Sequence, residues 1–225
     1  MNAGLYVVAV PIGNKEDITL RALDTLKNAD FVIMEERKSG CALLRSYGIT
    51  KEFVLLNEHN EKEDTRPLLR RLIEEQSAVV LISDAGTPLF ADPGNRLVKL
   101  CHDNKFPVVC VPGASSLTAT LQVSGLPLNK FLYQGFLSAN KEARCQELRN
   151  LPENIDIVIM EAPYRLKSLI RDMVLILGKN RHAIIAYNLT TSTERLFRGT
   201  LIELQTIAQK LAKAPFVIIL RKSVK

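Results

Sequence analysis

The chain has 225 residues, 47% of them apolar, which is enough to build a substantial core as one large domain or two small ones. No apolar run approaches the ~20 residues a membrane span requires, and Met1-Asn2-Ala3-Gly4 lacks the basic start of a secretory leader, so a cytoplasmic protein is predicted. The formal net charge of +6 suits an anionic partner such as nucleic acid without requiring one. Leu5 to Val10 reads as a first strand, and its lack of strict alternation suits a strand covered on both faces. Pro11-Ile12-Gly13-Asn14 closes it, and a helix follows with Leu20, Leu23 and Leu26 on one side and Asp17 or Thr19 as its cap. Phe31 to Met34 is a second strand, followed by a charged loop, Glu35-Glu36-Arg37-Lys38-Ser39-Gly40, and a helix over Cys41 to Tyr47. Phe53 to Leu56 is a third strand that ends in Asn57-Glu58-His59-Asn60-Glu61. Thr65 to Gln76 is the next helix, with Pro67 in its first turn.

Ala78 to Ile82 is a fourth strand that runs directly into Ser83-Asp84-Ala85-Gly86-Thr87-Pro88-Leu89-Phe90-Ala91-Asp92-Pro93-Gly94, and Arg96 to His102 continues as helix. A loop of glycines, prolines and small residues lets a ligand approach the backbone, because Gly lacks Cβ and Pro presents no N–H. Phe106 to Val111 is a fifth strand, ending in Pro112-Gly113-Ala114-Ser115-Ser116, and a helix follows over Leu117 to Val123. Five strands alternating with helices predict a parallel sheet with right-handed crossovers. Ser124-Gly125-Leu126-Pro127-Leu128 then reads as a hinge, which divides the chain into an N-terminal domain, 1–124, and a C-terminal domain, 125–225.

The second half carries strands at Phe131 to Leu137, Ile155 to Met160, Ala183 to Tyr187, Glu194 to Thr200 and Phe216 to Leu220. Helices are predicted over Asn140 to Leu151, Leu166 to Leu177 and Ile202 to Leu211. Strands outnumber the intervening helices, so some pairing must be antiparallel and the sheet mixed. The expected class is therefore α/β, with a parallel-sheet domain followed by a mixed-sheet domain. Cys41, Cys101, Cys110 and Cys145 form no C-x-x-C pair and His59, His102 and His182 are scattered, so reduced thiols and no metal site are expected.

In an open α/β sheet, ligands sit beyond the carboxyl ends of the strands. The G-x-G-x-x-G and G-x-x-x-x-G-K-[ST] phosphate loops are absent, which disfavours a dinucleotide or a nucleoside triphosphate. A nucleoside-like ligand without phosphates remains open, and the loops at 83–94, 112–116 and 161–165 offer close backbone, hydroxyls and carboxylates for it.

Val10-Pro11-Ile12-Gly13-Asn14 with Glu16 to Leu23 resembles the opening motif of the small-subunit ribosomal RNA ribose 2′-O-methyltransferase family I, in the tetrapyrrole methylase-like superfamily. Glu58-His59-Asn60-Glu61, Ser83 to Pro88, Asp92-Pro93-Gly94, Val111-Pro112-Gly113 and Ser124 to Pro127 are also similar. So are Gly135-Phe136-Leu137, Glu161-Ala162-Pro163-Tyr164-Arg165 and Arg198-Gly199-Thr200, so the likeness covers nearly the whole chain. The resemblance implies two α/β domains, S-adenosylmethionine bound in the cleft between them, a homodimer, and ribose 2′-O-methylation of a cytidine in small-subunit ribosomal RNA. It maps cofactor contacts onto Pro11, Asp84, Ala85, Gly86, Thr87, Pro88, Ser115, Ser116, Glu161, Ala162, Arg198, Gly199 and Thr200. Two features depart from the family pattern. The loop after the second strand lacks the usual Asp, Thr and His, and no basic C-terminal extension follows the last strand before Lys225. Both bear on the RNA target rather than on the cofactor.

A ribose hydroxyl is a poor nucleophile, so a general base within hydrogen-bond reach is expected, with Glu36, His59 and Glu161 as candidates at strand ends. Asp84 and Asp92 are expected to brace the cofactor loop. Phosphate contacts fall to Arg37, Lys38, Arg45, Lys141, Arg144 and Arg165, which gather at strand ends or on the adjoining polar helix. Two alternatives share the cofactor site or the fold. A tetrapyrrole C-methyltransferase would carry an apolar, arginine-lined cavity for a macrocycle, and a non-catalytic ribosome-binding relative would bind no cofactor.

Overall fold

The computed structural model describes residues 1–90, 92–127 and 129–223; Ala91 of the loop after the fourth strand, Leu128 of the expected hinge, and the final residues 224–225 lie outside the described residues. The chain divides into two compact units, Met1–Ser115 and Ser116–Lys225.

The first unit contains β1 (Gly4–Val8), α1 (Leu20–Asn28), β2 (Phe31–Met34), α2 (Arg37–Ser46), β3 (Glu52–Leu55), α3 (Glu61–Glu74), β4 (Ala78–Leu81), α4 (Asn95–Asp103) and β5 (Val108–Val111). Its strands form one parallel sheet in the order β3-β2-β4-β1-β5. From β1 the chain moves through α1 and α2 toward the β3 edge, then returns through α3 and α4 toward β5. Right-handed crossovers in opposite directions must lie on opposite faces. Accordingly Ala22 and Leu26 of α1 and Leu44 of α2 pack with Val8, Val32 and Val80 on one face. Leu69 and Leu72 of α3 and Leu97 of α4 pack with Leu5, Ile33 and Val79 on the other. Buried on both sides, β2 and β4 are apolar at every position, which is why their sequences do not alternate.

Two local expectations are corrected and one is narrowed. The residues from Arg37 to Gly40 are not loop but the first turn of α2, so only Glu35 and Glu36 separate it from β2. The helix α3 begins at Glu61 rather than Thr65, which leaves Pro67 inside it instead of in its first turn. The reason is an asparagine turn: Asn57 N–H donates to the Asn60 side chain (2.8 Å), and three acids in the first turn of α3 favour a helix start there. Of the two expected caps of α1, Asp17 and Thr19, it is Thr19 that serves, accepting the Ala22 N–H at 3.0 Å.

The second unit contains α5 (Ser116–Ser124), β6 (Phe131–Gly135), α6 (Lys141–Arg149), β7 (Asp156–Glu161), α7 (Leu166–Leu177), β8 (His182–Tyr187), β9 (Arg195–Thr200), α8 (Leu201–Lys210) and β10 (Phe216–Leu220). Its sheet runs β6-β7-β10-β8-β9, with β6 parallel to β7 and every other pair antiparallel. Leu148 of α6, Leu169 and Met173 of α7 and Leu204 of α8 cover one face with Ile159, Ile185 and Ile218. Leu117 and Leu121 of α5 cover the other with Val158, Ile184 and Val217, so this helix belongs to the second unit. Two arginines pin the segment between β6 and α6. Arg144 donates to the Ser138 and Ala139 carbonyls (both 3.1 Å) and to Asp172 Oδ2 (2.7 Å), while Arg165 donates to the Leu137 carbonyl (3.1 Å) and the Ser138 carbonyl.

Candidate active site

In the first sheet, β1 and β4 are neighbours whose following helices leave on opposite faces. Their loops must part, and the crevice they leave is the topological switch point where open α/β sheets bind ligands. Two backbone hydrogen bonds pin its base: Val10 N–H to the Gly86 carbonyl (2.9 Å) and Gly86 N–H to the Val10 carbonyl (3.0 Å). Gly86 holds φ at +80°, and a Cβ there would stand 3.1 Å from the Ile12 side chain. No L side chain adopts that backbone without strain. Thr87 Oγ1 donates to the Ala114 carbonyl (3.0 Å), which ties in the turn after β5. Pro11, Gly86, Thr87 and Pro88 are thus brought together, with Pro11, Gly86 and Pro88 buried and Asp84 and Ala85 exposed above them.

The loop continues under tension. Leu89, a non-glycine residue, has φ of +74°, and Gly94 at +118° leaves room for the Leu89 and Leu81 side chains. The N-terminus of α4 is then capped from another helix: Glu61 Oε1 accepts the Gly94 N–H (2.8 Å) and the Arg96 N–H (3.3 Å). Glu61 in the Glu58-His59-Asn60-Glu61 motif is therefore a brace for the loop between β4 and α4.

One wall of the crevice is acidic. Asp84 Oδ1 accepts the Ser39 hydroxyl at 2.5 Å, linking the loop to the first turn of α2. Glu35, immediately after β2, is pushed up to about 7 by burial and by the nearby charges of Asp84, Asp92, Glu58 and Glu36. Burial, with Asp84, also raises Asp92, against the Leu89 N–H it accepts. The Glu35 carboxyl, at about 7, exchanges its proton readily near neutrality, the property general acid–base work requires.

The other sequence candidates separate. Glu36 is exposed and makes no side-chain cap bond to α2. The His59 side chain is 85% exposed and faces Glu58 at 3.6 Å. Glu161 is buried: its Oε1 accepts from Arg165 (2.9 Å) and from Ala162 N–H (3.1 Å), while Oε2 is buried with no partner among the described residues. Burial raises its pKa, opposed by the Ala162 N–H and by Arg165 and Arg144. The register places Phe216 opposite both Glu161 and Tyr187, and Asn188 N–H donates to the Pro215 carbonyl (2.8 Å). The residues 161–162, 187–188 and 215–216 therefore share one end of the second sheet, and the last pair was not legible because it lies fifty residues away in sequence. The Ser116 hydroxyl approaches Met160 Sδ at 4.0 Å beside that end. Arg198-Gly199-Thr200 lies at the opposite end, where Thr200 pairs with His182. There Thr200 caps α8 with Glu203 in a reciprocal box.

Among the expected phosphate contacts, Arg37, Lys38, Arg45 and Lys141 are exposed. Arg144 and Arg165 are not available in the same way. Their side chains are only 6% and 12% exposed and their guanidinium donors are committed to carboxylates and carbonyls inside the second unit.

A parallel sheet with a glycine-based crevice at its switch point, followed by a mixed five-stranded sheet, defines an α/β protein of the open-sheet class. The family model for Tetrapyrrole (Corrin/Porphyrin) Methylases matches residues 4–205, and the chain belongs to that family. It is 41% identical over 200 residues to the Ribosomal RNA small subunit methyltransferase I of Thermotoga maritima, covering 88% of this chain and 89% of that one. It is 38% identical over 202 residues to the enzyme of the same name from Haemophilus influenzae, covering 89% of this chain and 71% of that one. Among solved structures, diphthine synthase shares the fold at a TM-score of 0.76 and 19% identity, over 97% of this chain and 89% of that one. No helix among the described residues is long and apolar enough to cross a membrane.

Proposed function

We propose that this chain is an S-adenosylmethionine-dependent methyltransferase that methylates a ribose 2′-hydroxyl, on a cytidine, in small-subunit ribosomal RNA. The observation that carries the reading is the 41% identity, over nearly the full length of both chains, to a small-subunit ribosomal RNA methyltransferase. The crevice residues fit the donor. Gly86 leaves backbone open where a side chain would fill the cradle, and the acidic wall of Asp84, Asp92 and Glu35 complements a cationic ligand. Pro11, Asp84, Ala85, Gly86, Thr87 and Pro88 would hold it.

When bound, S-adenosylmethionine supplies an electrophilic methyl carbon on a sulfonium. The chain's task is to align a hydroxyl with that carbon and to take its proton, and alignment alone supplies as much as about 7–11 kcal/mol in the best cases. Glu35, with its pKa near 7, is the proton acceptor this reading selects over Glu36 and His59. The reading includes a homodimer working in the cytoplasm, where ribosomal subunits assemble; a monomer by sedimentation at micromolar concentration would refute the first part.

The decisive test is methyl transfer from labelled donor to purified small ribosomal subunits, with the product mapped by ribose-methylation sequencing. Labelled 2′-O-methylcytidine is the expected product. Unlabelled subunits, alongside measurable donor binding by calorimetry, would remove this substrate.

A further inference from the structure

The second sheet carries a cavity of about 560 Å³ at the end opposite Glu161, lined by Arg181, His182, Arg198, Arg221, Lys222 and Ser223 together with apolar side chains. Four permanent cations face it, and among the described residues no carboxylate lines it. The strands β8, β9 and β10 bring them there: His182 opens β8, Arg198 is near the end of β9, and Arg221 and Lys222 follow β10. The counter-charge present is partial. Asp156 Oδ1 stands 3.4 Å from Arg221 Nε and also accepts the Lys222 N–H at 2.8 Å. Arg221 Nη1 is buried and donates to nothing among the described residues. An unmet buried donor costs on the order of 1–3 kcal/mol, more when charged. Arg181 spends Nε on the Arg221 carbonyl (2.5 Å) and Nη1 on the Ser223 hydroxyl (2.8 Å), which organises the rim. Burial pulls its pKa below the usual arginine range, against the charges of Glu153 and Asp156, so the guanidinium sits in a desolvated place without a full counter-ion.

We infer that this cavity is a second, distal anchor for the phosphodiester backbone of the RNA substrate, with Arg221 and Lys222 as its phosphate contacts. The inference rests on the RNA reading given above. An oxyanion satisfies the buried Arg221 donor, neutralises the surplus charge and fits a fork of guanidinium groups. The six residues of β7 separate this cavity from the Glu161 end by about 16 Å at ~3.3 Å per residue. Occupancy by RNA would therefore fix the register of a long substrate without touching the reacting atoms. Phosphate contacts position and do not read sequence.

The test uses the full chain, a labelled transcript of small-subunit ribosomal RNA, cytidine monophosphate, and uroporphyrin as a polycarboxylate. Lys222→Glu alters an exposed side chain, and Arg221→Gln removes a guanidinium whose Nη1 is buried. Both variants are expected to bind the transcript roughly tenfold more weakly at low salt and to reduce the slope of log K against log salt by about 1. Lys222→Arg should restore the parent behaviour, and donor affinity should stay unchanged in all three. Unaltered RNA affinity and slope in Lys222→Glu, with a normal thermal transition, overturns the inference even where methyl transfer persists. So does a parent protein that binds no RNA. Weakened RNA binding in the variants with no methyl transfer by the parent supports the anchor and removes the methylation reading instead. Variant-sensitive binding of the mononucleotide or of uroporphyrin with unchanged RNA affinity assigns the cavity to a free nucleotide or a macrocycle and overturns it. A change in sedimentation alone marks a contact between copies and overturns it too.

Discussion

At the scale of single residues, Glu35 joins burial, charge and chemistry. Its neighbours hold its carboxyl at about 7, against an ordinary 4.5, and burial is the largest cause. The folded state therefore binds a proton that the unfolded state has released between about pH 4.5 and pH 7. Stability from this group is full below the lower value and is lost as pH rises through the upper one. Glu35→Gln should flatten that decline and raise Tm at pH 8, at about 2–4 °C per kcal/mol for a chain of this size. Thermal scans at pH 5 and pH 8 measure it, and equal shifts at both would contradict the sign. The same variant should lower kcat by about 10²–10⁴ with donor Kd within a few-fold, and should lose the rising limb of the pH–rate profile near 7. Arg144 makes the opposite point. It is 6% exposed and bound to Asp172, so Arg144→Leu strands a buried carboxylate and should cost about 3–5 kcal/mol by urea unfolding. The double variant Arg144→Leu, Asp172→Leu should recover much of that; a double variant as weak as the single one would count against a charge explanation.

At the scale of elements, the loop after β4 is shaped by what caps the helix that follows. An N-terminus needs acceptors for its first N–H groups, and Glu61 reaches across from α3 to supply them. Glu61→Ala should cost about 1–2 kcal/mol, as other lost charged caps do. Its larger consequence should be local: faster hydrogen exchange at Gly94 and Arg96 and weaker donor binding, while exchange in β1 and β4 cores stays slow. Uniform acceleration over the first unit would show a global effect instead. This brace was not legible beforehand, since Glu61 and Gly94 are far apart in sequence and only the packing of α3 beside α4 joins them. Where elements depend on local pattern, reading was close: Phe31–Met34, Leu166–Leu177 and Phe216–Leu220 stand at the expected residues.

At the scale of the whole chain, each buried cluster draws its members from one unit. Two lie among residues 5–111 and two among residues 117–220. A unit with its own core on both faces of its sheet can fold as an independent piece. A fragment of residues 116–225 should show cooperative thermal unfolding and a dispersed amide spectrum. A collapsed spectrum without a transition would show that its core is insufficient.

The sequence by itself determined the alternation of strand and helix, the parallel character of the first sheet and the mixed character of the second. Runs buried on both faces and strand-to-helix spacing are local properties. The turns at 10–14 and 83–88 were equally legible, because Gly and Pro state their backbone requirements in place. Tertiary structure alone decided which acid carries a raised pKa, since desolvation and the field of Asp84 and Asp92 come from separate loops. It also turned Arg144 and Arg165 from expected phosphate contacts into internal anchors, and it placed Arg198-Gly199-Thr200 at the far end of the sheet. Charge is visible in a sequence; burial and partners are set by which distant elements pack together.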